Sequence, residues 1–150
     1  MVHTVQAGDC LEAGDLQLCA LAPQAGATGE DTNEESVVLE LWYKDFRGLL
    51  TGDIGEETEE ELLPALDDVD FLKVAHHGSR YSTGTVFLEQ VRPEWAVISC
   101  SSTNTYGHPS PDTVHRLEQI DCRVGFTMKS GAVTLYTDGT RIRIQGYLTP

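Results

Sequence analysis

No stretch of this chain approaches the roughly 20 consecutive apolar residues that a membrane-crossing helix needs. Residues 1–9 lack the basic-then-apolar pattern of a signal peptide. The sequence reads as a soluble globular polypeptide. Basic residues are scarce, 10 against 24 acidic ones, for a formal charge of −14. Nucleic-acid-binding modules usually carry a basic surface, because neutralising phosphates releases counterions. A free-standing DNA-binding module is therefore disfavoured. The charge weighs less against an enzyme whose bound cations dominate the field of its site. None of the four cysteines, Cys10, Cys19, Cys100 and Cys122, lies two to four residues from another. That excludes the usual cysteine zinc site. Their even number permits disulfides, but small buried hydrophobes are the favoured reading, and the redox compartment stays open. No G-x-S-x-G is present, so Ser79 ranks low as a nucleophile. There is no internal repeat and no low-complexity linker.

What is present fits one domain: 150 residues, 40% of them hydrophobic. Residues 16–21, 36–43 and 47–51 read as strands, with a loop at 24–35 and a tight turn at 44–46. Residues 56–66 read as a helix whose acidic start suits the helix dipole and which Pro64 ends or kinks. The acidic stretch 56–70 reads as a solvated helix face. A strand at 71–75, a helix at 83–91 with Val86, Phe87 and Val91 on one face, and a strand at 95–100 follow. A helix runs from Ser110 or Pro111 to Ile120, with Val114 and Leu117 inward. Short strands at 124–127, 132–137 and 141–145 close the chain, the last two joined at Asp138-Gly139. The alternation in the middle predicts an α/β fold, a mixed sheet with flanking helices.

Three polar clusters each follow a predicted strand: Thr51-Gly52-Asp53, His76-His77-Gly78-Ser79 and Tyr106-Gly107-His108-Pro109. Strand ends beside glycine are where α/β folds place their sites. Asp53 can bridge two metals through its two oxygens, or simply cap the following helix. His76 and His77 would point to opposite faces of an extended segment, so they share a metal only if the strand has ended. Either can be a ligand, and neutral imidazole also serves as an acid-base group. His108, set between Gly107 and Pro109 in a loop with Asn104 and Tyr106, can be a ligand, a general acid, a phosphate contact or a helix cap. Ser79 is expected to donate a hydrogen bond to a site group. His3 has no such company, and His115 reads as a surface residue.

In this order and spacing, the clusters resemble the metallo-β-lactamase-like hydrolase domain of ComEC-type DNA-uptake proteins. The matching stretches are SVVLELWYKDFRGLLTGDIGEETEEELL, DVDFLKVAHHGSRYST, PEWAVISCSSTNTYGHPSPDTVHRLEQ and VGFTMKSGAVTLYTDG, from about residue 33 to residue 139. The resemblance implies metal-assisted phosphodiester hydrolysis with two Zn or Mn ions. Asp53 would be the bridging carboxylate and one of His76 and His77 a ligand. His108 would lie at the rim and act on substrate or complete the site, and Ser79, Asn104 and Tyr106 would line the substrate side. It further implies single-stranded DNA as substrate, a membrane channel in the full-length protein, and a hydrolase domain facing outside the cytoplasm. Asn33 stands 20 residues before Asp53, where many superfamily members carry a ligand histidine. The superfamily's first metal motif, His-x-His/Asp-x-Asp-His, is absent, and the only upstream histidine is His3. Residues 1–150 therefore resemble the C-terminal half of an αββα sandwich. The isolated half is expected to be inactive, to bind metal weakly and to self-associate through its uncovered sheet face. Two other readings stand beside this one. One is a hydrolase of small esters or phosphocholine esters within the same superfamily. The other is a degenerate binding or scaffold module.

Overall fold

The computed structural model describes residues 4–28 and 31–148, so His3 lies outside the described residues. Strands β1 (Cys10–Ala13), β2 (Leu16–Ala22), β3 (Val38–Tyr43) and β4 (Phe46–Leu50) form an antiparallel meander. Strands β5 (Phe71–Lys73), β6 (Trp95–Ile98) and β7 (Arg123–Phe126) extend the sheet parallel to β4. All seven lie side by side in sequence order. Parallel neighbours need crossovers, and here these carry α1 (Glu56–Leu62), α2 (Thr85–Val91) and α3 (Pro111–Gln119). Crossovers are right-handed, so a strand order that never reverses puts all three helices on one face. The fold is thus the expected mixed sheet with helices.

The core lies between that face and the helices. Leu49, Leu72 and Ala96 are cross-strand neighbours and are fully buried with Phe87, Leu88, Val91 and Leu117. Each large side chain there contributes about 2 kcal/mol. The opposite face carries Leu18, Leu41, Phe71 and Trp95 in one continuous row across the strands, and all four are only partly buried. A separate hairpin, β8 (Val133–Thr137) and β9 (Ile142–Gly146), turns at Asp138-Gly139. Its tip sits on the β3–β4 turn, where Asp45 N donates to Gly139 O at 3.1 Å.

Each helix of the layer starts on a side-chain cap. Glu34, from the long loop, accepts the Thr58 N–H and hydroxyl at the head of α1. Glu59, from α1, accepts the N–H groups of Thr83 and Gly84 at the head of α2. Ser110 caps its own helix, α3, through Asp112 N at 3.3 Å. The Thr58, Gly84 and Asp112 N–H groups are helix donors that have no partner within the helix, and Thr83 is bonded just ahead of α2.

Several expectations need correction. The acidic run is not wholly a solvated face, because Glu59 is 1% exposed. Val86 is 60% exposed, and Leu88 takes the inward position beside Phe87 and Val91. Cys10 and Cys19, directly opposed across β1 and β2, form a disulfide, while Cys100 and Cys122 are free. β1 was not legible, since all four of its residues are exposed. The chain after β7 turns at once into a short helix, α4 (Thr127–Ser130).

Burial pushes the Glu59 carboxyl up to about 7, against the pull of the two N–H donors. A raised carboxyl binds its proton more tightly in the folded state. The stability it brings is present below the ordinary glutamate range and is lost as pH rises through about 7. Urea denaturation should show wild type losing on the order of 2–3 kcal/mol from pH 5 to pH 8 relative to Glu59→Gln. Parallel pH profiles for the two proteins would contradict this. Denatured without reductant, the chain should present the thiols of Cys100 and Cys122 alone to a thiol reagent, and all four cysteines only after reduction.

Candidate functional site

The C-terminal ends of parallel strands β4, β5 and β6 deliver the three polar clusters to one edge of the sheet, as expected for an α/β site. At the end of β4, Gly52 has φ 57, and a Cβ there would sit 2.7 Å from Ser36 Cβ. Only glycine fits both demands. The turn is held by Asp53 N donating to Ser36 Oγ at 3.2 Å and by the Thr51 hydroxyl donating to Lys73 O at 2.6 Å. The Asp53 side chain is left 38% exposed.

Strand β5 stops at Lys73, so the alternation of an extended chain no longer applies to the histidine pair. His76 (φ 45), His77 (φ 55) and Gly78 (φ 81) are all left-handed, and both imidazoles reach the same cleft. This conformation costs a non-glycine residue roughly 1–2 kcal/mol. It is held from three sides. His76 N donates to Gly52 O at 3.1 Å, Ser79 N to His76 O at 2.9 Å, and Ser110 N to Gly78 O at 2.7 Å. A Cβ on Gly78 would lie 2.8 Å from Pro109 Cβ.

His77 Nδ1 lies 2.7 Å from Ser99 O. A carbonyl only accepts, so the proton sits on Nδ1 and the lone pair of the neutral ring is on Nε2. That Nε2 is 3.5 Å from Asp53 Oδ2. Two donors held about 2.0–2.2 Å from one tetrahedral ion sit roughly 3.4 Å apart. The pair therefore has the spacing of two ligands of one cation, and His77 the tautomer of one. It is not a complete ligand set: among the described residues, no three His, Cys, Asp or Glu side chains converge to hold an ion.

The third cluster closes the cleft. Asn104 donates from Nδ2 to Ser101 O and to His108 O, both at 2.6 Å, and accepts from His108 N at 2.9 Å. The amide is spent on bracing the loop, a positioning role rather than the substrate contact expected of it. His108 meets His76 edge-on, with ring centroids 5.6 Å apart, and stacks against Tyr106 at 5.9 Å with 14° between planes. Burial, then the neighbouring His76 and His77, hold the His108 imidazole below its ordinary value, with Asp53 opposing. The cleft has a volume of about 320 Å³ and is lined by Asn33, Asp53, His76, His77, Tyr106 and His108.

Ser79 is not among those residues. It is 3% exposed, and its hydroxyl accepts Tyr81 N at 3.3 Å, so it shapes the turn instead of facing a substrate. His115 is exposed on α3, as expected. Sequence reasoning passed over Lys73, whose ammonium donates to Gly52 O at 3.4 Å and feels the Asp53 charge. Burial lowers its pKa. The signal was a lone lysine inside an apolar strand.

Across 134 residues, 88% of the chain, it is 35% identical to ComE operon protein 3 of Bacillus subtilis. The chain is a homologue of the ComEC-type competence proteins. It is also 34% identical to Recombination protein 2 of Haemophilus influenzae over 130 residues, 87% of the chain. With Competence protein ComA of Neisseria gonorrhoeae it shares 34% identity over 106 residues, 69% of the chain. It spans only 17%, 16% and 15% of the lengths of these ComEC-type relatives. No protein-family model matches the chain. Its fold matches a crystal structure from Parabacteroides distasonis, named for a metal-dependent hydrolase, with a TM-score of 0.56 at 13% identity. That match covers 83% of this chain and 56% of the other. Among the described residues of this ComEC homologue, no helix is long and apolar enough to cross a membrane.

The left-handed turn makes Gly78→Ala a direct probe. Both its φ and the approach of Pro109 oppose a Cβ. The variant should lose about 1–3 kcal/mol in urea denaturation, and the His76 and His77 imidazole resonances should shift. An unchanged midpoint with unshifted resonances would refute this packing.

Proposed function

We propose that this chain is the C-terminal half of a metal-dependent phosphodiesterase domain that cuts single-stranded DNA during DNA uptake. The observation that carries the reading is the 3.5 Å approach of His77 Nε2 to Asp53 Oδ2, with the His77 tautomer held by Ser99 O. It lies at the strand ends of a chain homologous to competence proteins.

In this reading Asp53 and His77 would be metal donors, with Asp53 the carboxylate shared between two ions. His76 stands beside them as a further donor or as support for His108. Two divalent ions, Zn or Mn, would supply a hydroxide at neutral pH and polarise a phosphoryl oxygen. The protein's own part is to position. The Ser99 carbonyl keeps the His77 lone pair aimed at the donor position, a common support for ligand histidines. His108, whose imidazole is held below its ordinary value by burial and by its histidine neighbours, is suited to take up a proton at the reacting centre as a general base. Asn33 is a weak donor at the cleft edge, so the second ion would be loosely held.

The remaining donors would come from the upstream half of the domain. Two observations support such a partner layer: the partly exposed row of Leu18, Leu41, Phe71 and Trp95, and the match to only 56% of a longer hydrolase-fold chain. The isolated half would self-associate through that row and would be inactive. The Cys10–Cys19 bridge supports an oxidising compartment, and so a domain outside the cytoplasm, tethered in the full-length protein to a membrane channel. One observation favours acidic-tolerant substrates such as small phosphoesters or phosphocholine esters: the formal charge of −14.

The test is Mn²⁺-dependent cleavage of single-stranded DNA by this chain and by a version extended upstream through the histidine motif. Only the extended protein should cut, and Asp53→Ala should slow it roughly 100-fold or more. An extended protein that binds metal, spares DNA and cleaves small esters would move the assignment to the ester hydrolases. One that binds no metal would leave a scaffold.

A further inference from the structure

Beside the polar cleft lies a second, smaller recess of about 220 Å³, lined by His77, Cys100, Ser101, Asn104, Tyr106 and His108. His77, Tyr106 and His108 line both hollows, so the recess opens directly on the flank of the Asp53–His77 pair. The two differ in chemistry. The cleft walls are polar and apolar in similar measure, whereas the recess walls are almost wholly apolar. We propose that this recess is a nucleobase subsite, with the ring of Tyr106 as its stacking face. The proposal rests on the phosphodiesterase reading and adds to it the part of the substrate that lies beside the phosphate.

The groups contributed by Asn104, Ser101, Cys100 and His77 Nδ1 are already engaged. The Asn104 amide is bonded to Ser101 O and to the His108 backbone. His77 Nδ1 is bonded to Ser99 O, and the Ser101 hydroxyl to Thr103 Oγ1. The Cys100 N–H and carbonyl are both bonded to the Thr127 hydroxyl. What remains on offer is ring face and sulfur, with the Tyr106 hydroxyl and the His108 ring nitrogens at the margin, which suits a flat aromatic ligand. Tyr106 is 83% exposed, yet its loop is braced by three bonds of one asparagine, and its ring lies parallel to His108. An aromatic ring held this way loses little freedom on stacking.

Electrostatics give the recess its importance. With a formal charge of −14, the chain has no broad basic surface to hold a phosphate backbone. Stacking must then carry a larger share of binding than in basic nucleic-acid proteins. A base can enter the recess only if it is unpaired and unstacked. The subsite therefore selects single strands over duplexes.

The test uses this chain with Mn²⁺ at concentrations up to millimolar, and fluorescence anisotropy of two end-labelled oligonucleotides of equal length and charge. One carries normal bases and the other is abasic throughout. Wild type should bind the base-bearing strand about 10-fold or more tightly than the abasic one. Tyr106→Ala should weaken binding of the base-bearing strand roughly 5- to 150-fold and leave the abasic strand unchanged, while Tyr106→Phe keeps wild-type preference. Equal binding of both strands by wild type, or equal weakening of both by Tyr106→Ala, would overturn the subsite alone and leave a phosphodiester-binding site standing. Binding of neither strand would overturn the subsite and leave the phosphodiesterase reading to the cleavage test on the extended protein.

Discussion

The site depends on three consecutive left-handed residues, His76, His77 and Gly78. An extended segment would send the two imidazoles to opposite faces of the sheet. The left-handed turn brings both to one side, at a backbone cost of roughly 1–2 kcal/mol for each histidine. The turn persists because its neighbours over-determine it. Gly52 O takes the first N–H, Ser110 N reaches the last carbonyl, and Pro109 fills the space where a side chain on Gly78 would go. Gly52 and Pro109 belong to the other two polar clusters, and Ser110 directly follows the last of them. The clusters are therefore one mechanical unit, and strain in one is held by a hydrogen bond to Gly52, a hydrogen bond from Ser110 and the packing of Pro109.

The sheet makes that unit possible. Strand order follows sequence order throughout, so the parallel strands end side by side and their loops collect at one edge. The helix layer is locked by caps that pass from element to element: Glu34 onto α1, Glu59 onto α2, and Ser110 at the head of α3. Arg116 adds a clasp from α3, donating to Thr83 O and Ser82 O at 2.9 Å each. These bonds fix the segment that follows the histidine turn. The same topology puts the helices on one face and leaves the opposite face apolar and half-covered, a surface shaped to receive another layer.

Much of this was legible in the sequence, for identifiable reasons. The buried strands announced themselves as β-branched and apolar runs, and Ser110-Pro111 marked the head of α3 because capping and helix-start preferences agree there. The three site clusters were legible because each placed titratable groups beside glycine after a strand. Less was visible where local pattern and tertiary context disagree. Residues 71–75 read as one strand, yet the ladder stops at Lys73 and the turn begins. Glu59 hid in an acidic run, since only the fold reveals that its side chain faces the orphan donors of α2. Ser79 looked like a site residue by adjacency, but the turn directs it into the interior. Cys10 and Cys19 needed the β1–β2 register to become partners. Val86 looked like core from helical spacing, and only the orientation of α2 shows Leu88 in its place.

The most direct measurement is an anomalous-scattering map at the zinc edge, from crystals of this chain joined to its upstream segment and grown with Zn²⁺. The geometry predicts a metal peak about 2.0–2.2 Å from both Asp53 and His77 Nε2. A protein that binds zinc with every peak remote from both residues would contradict the assignment of this edge of the sheet as half of a metal centre.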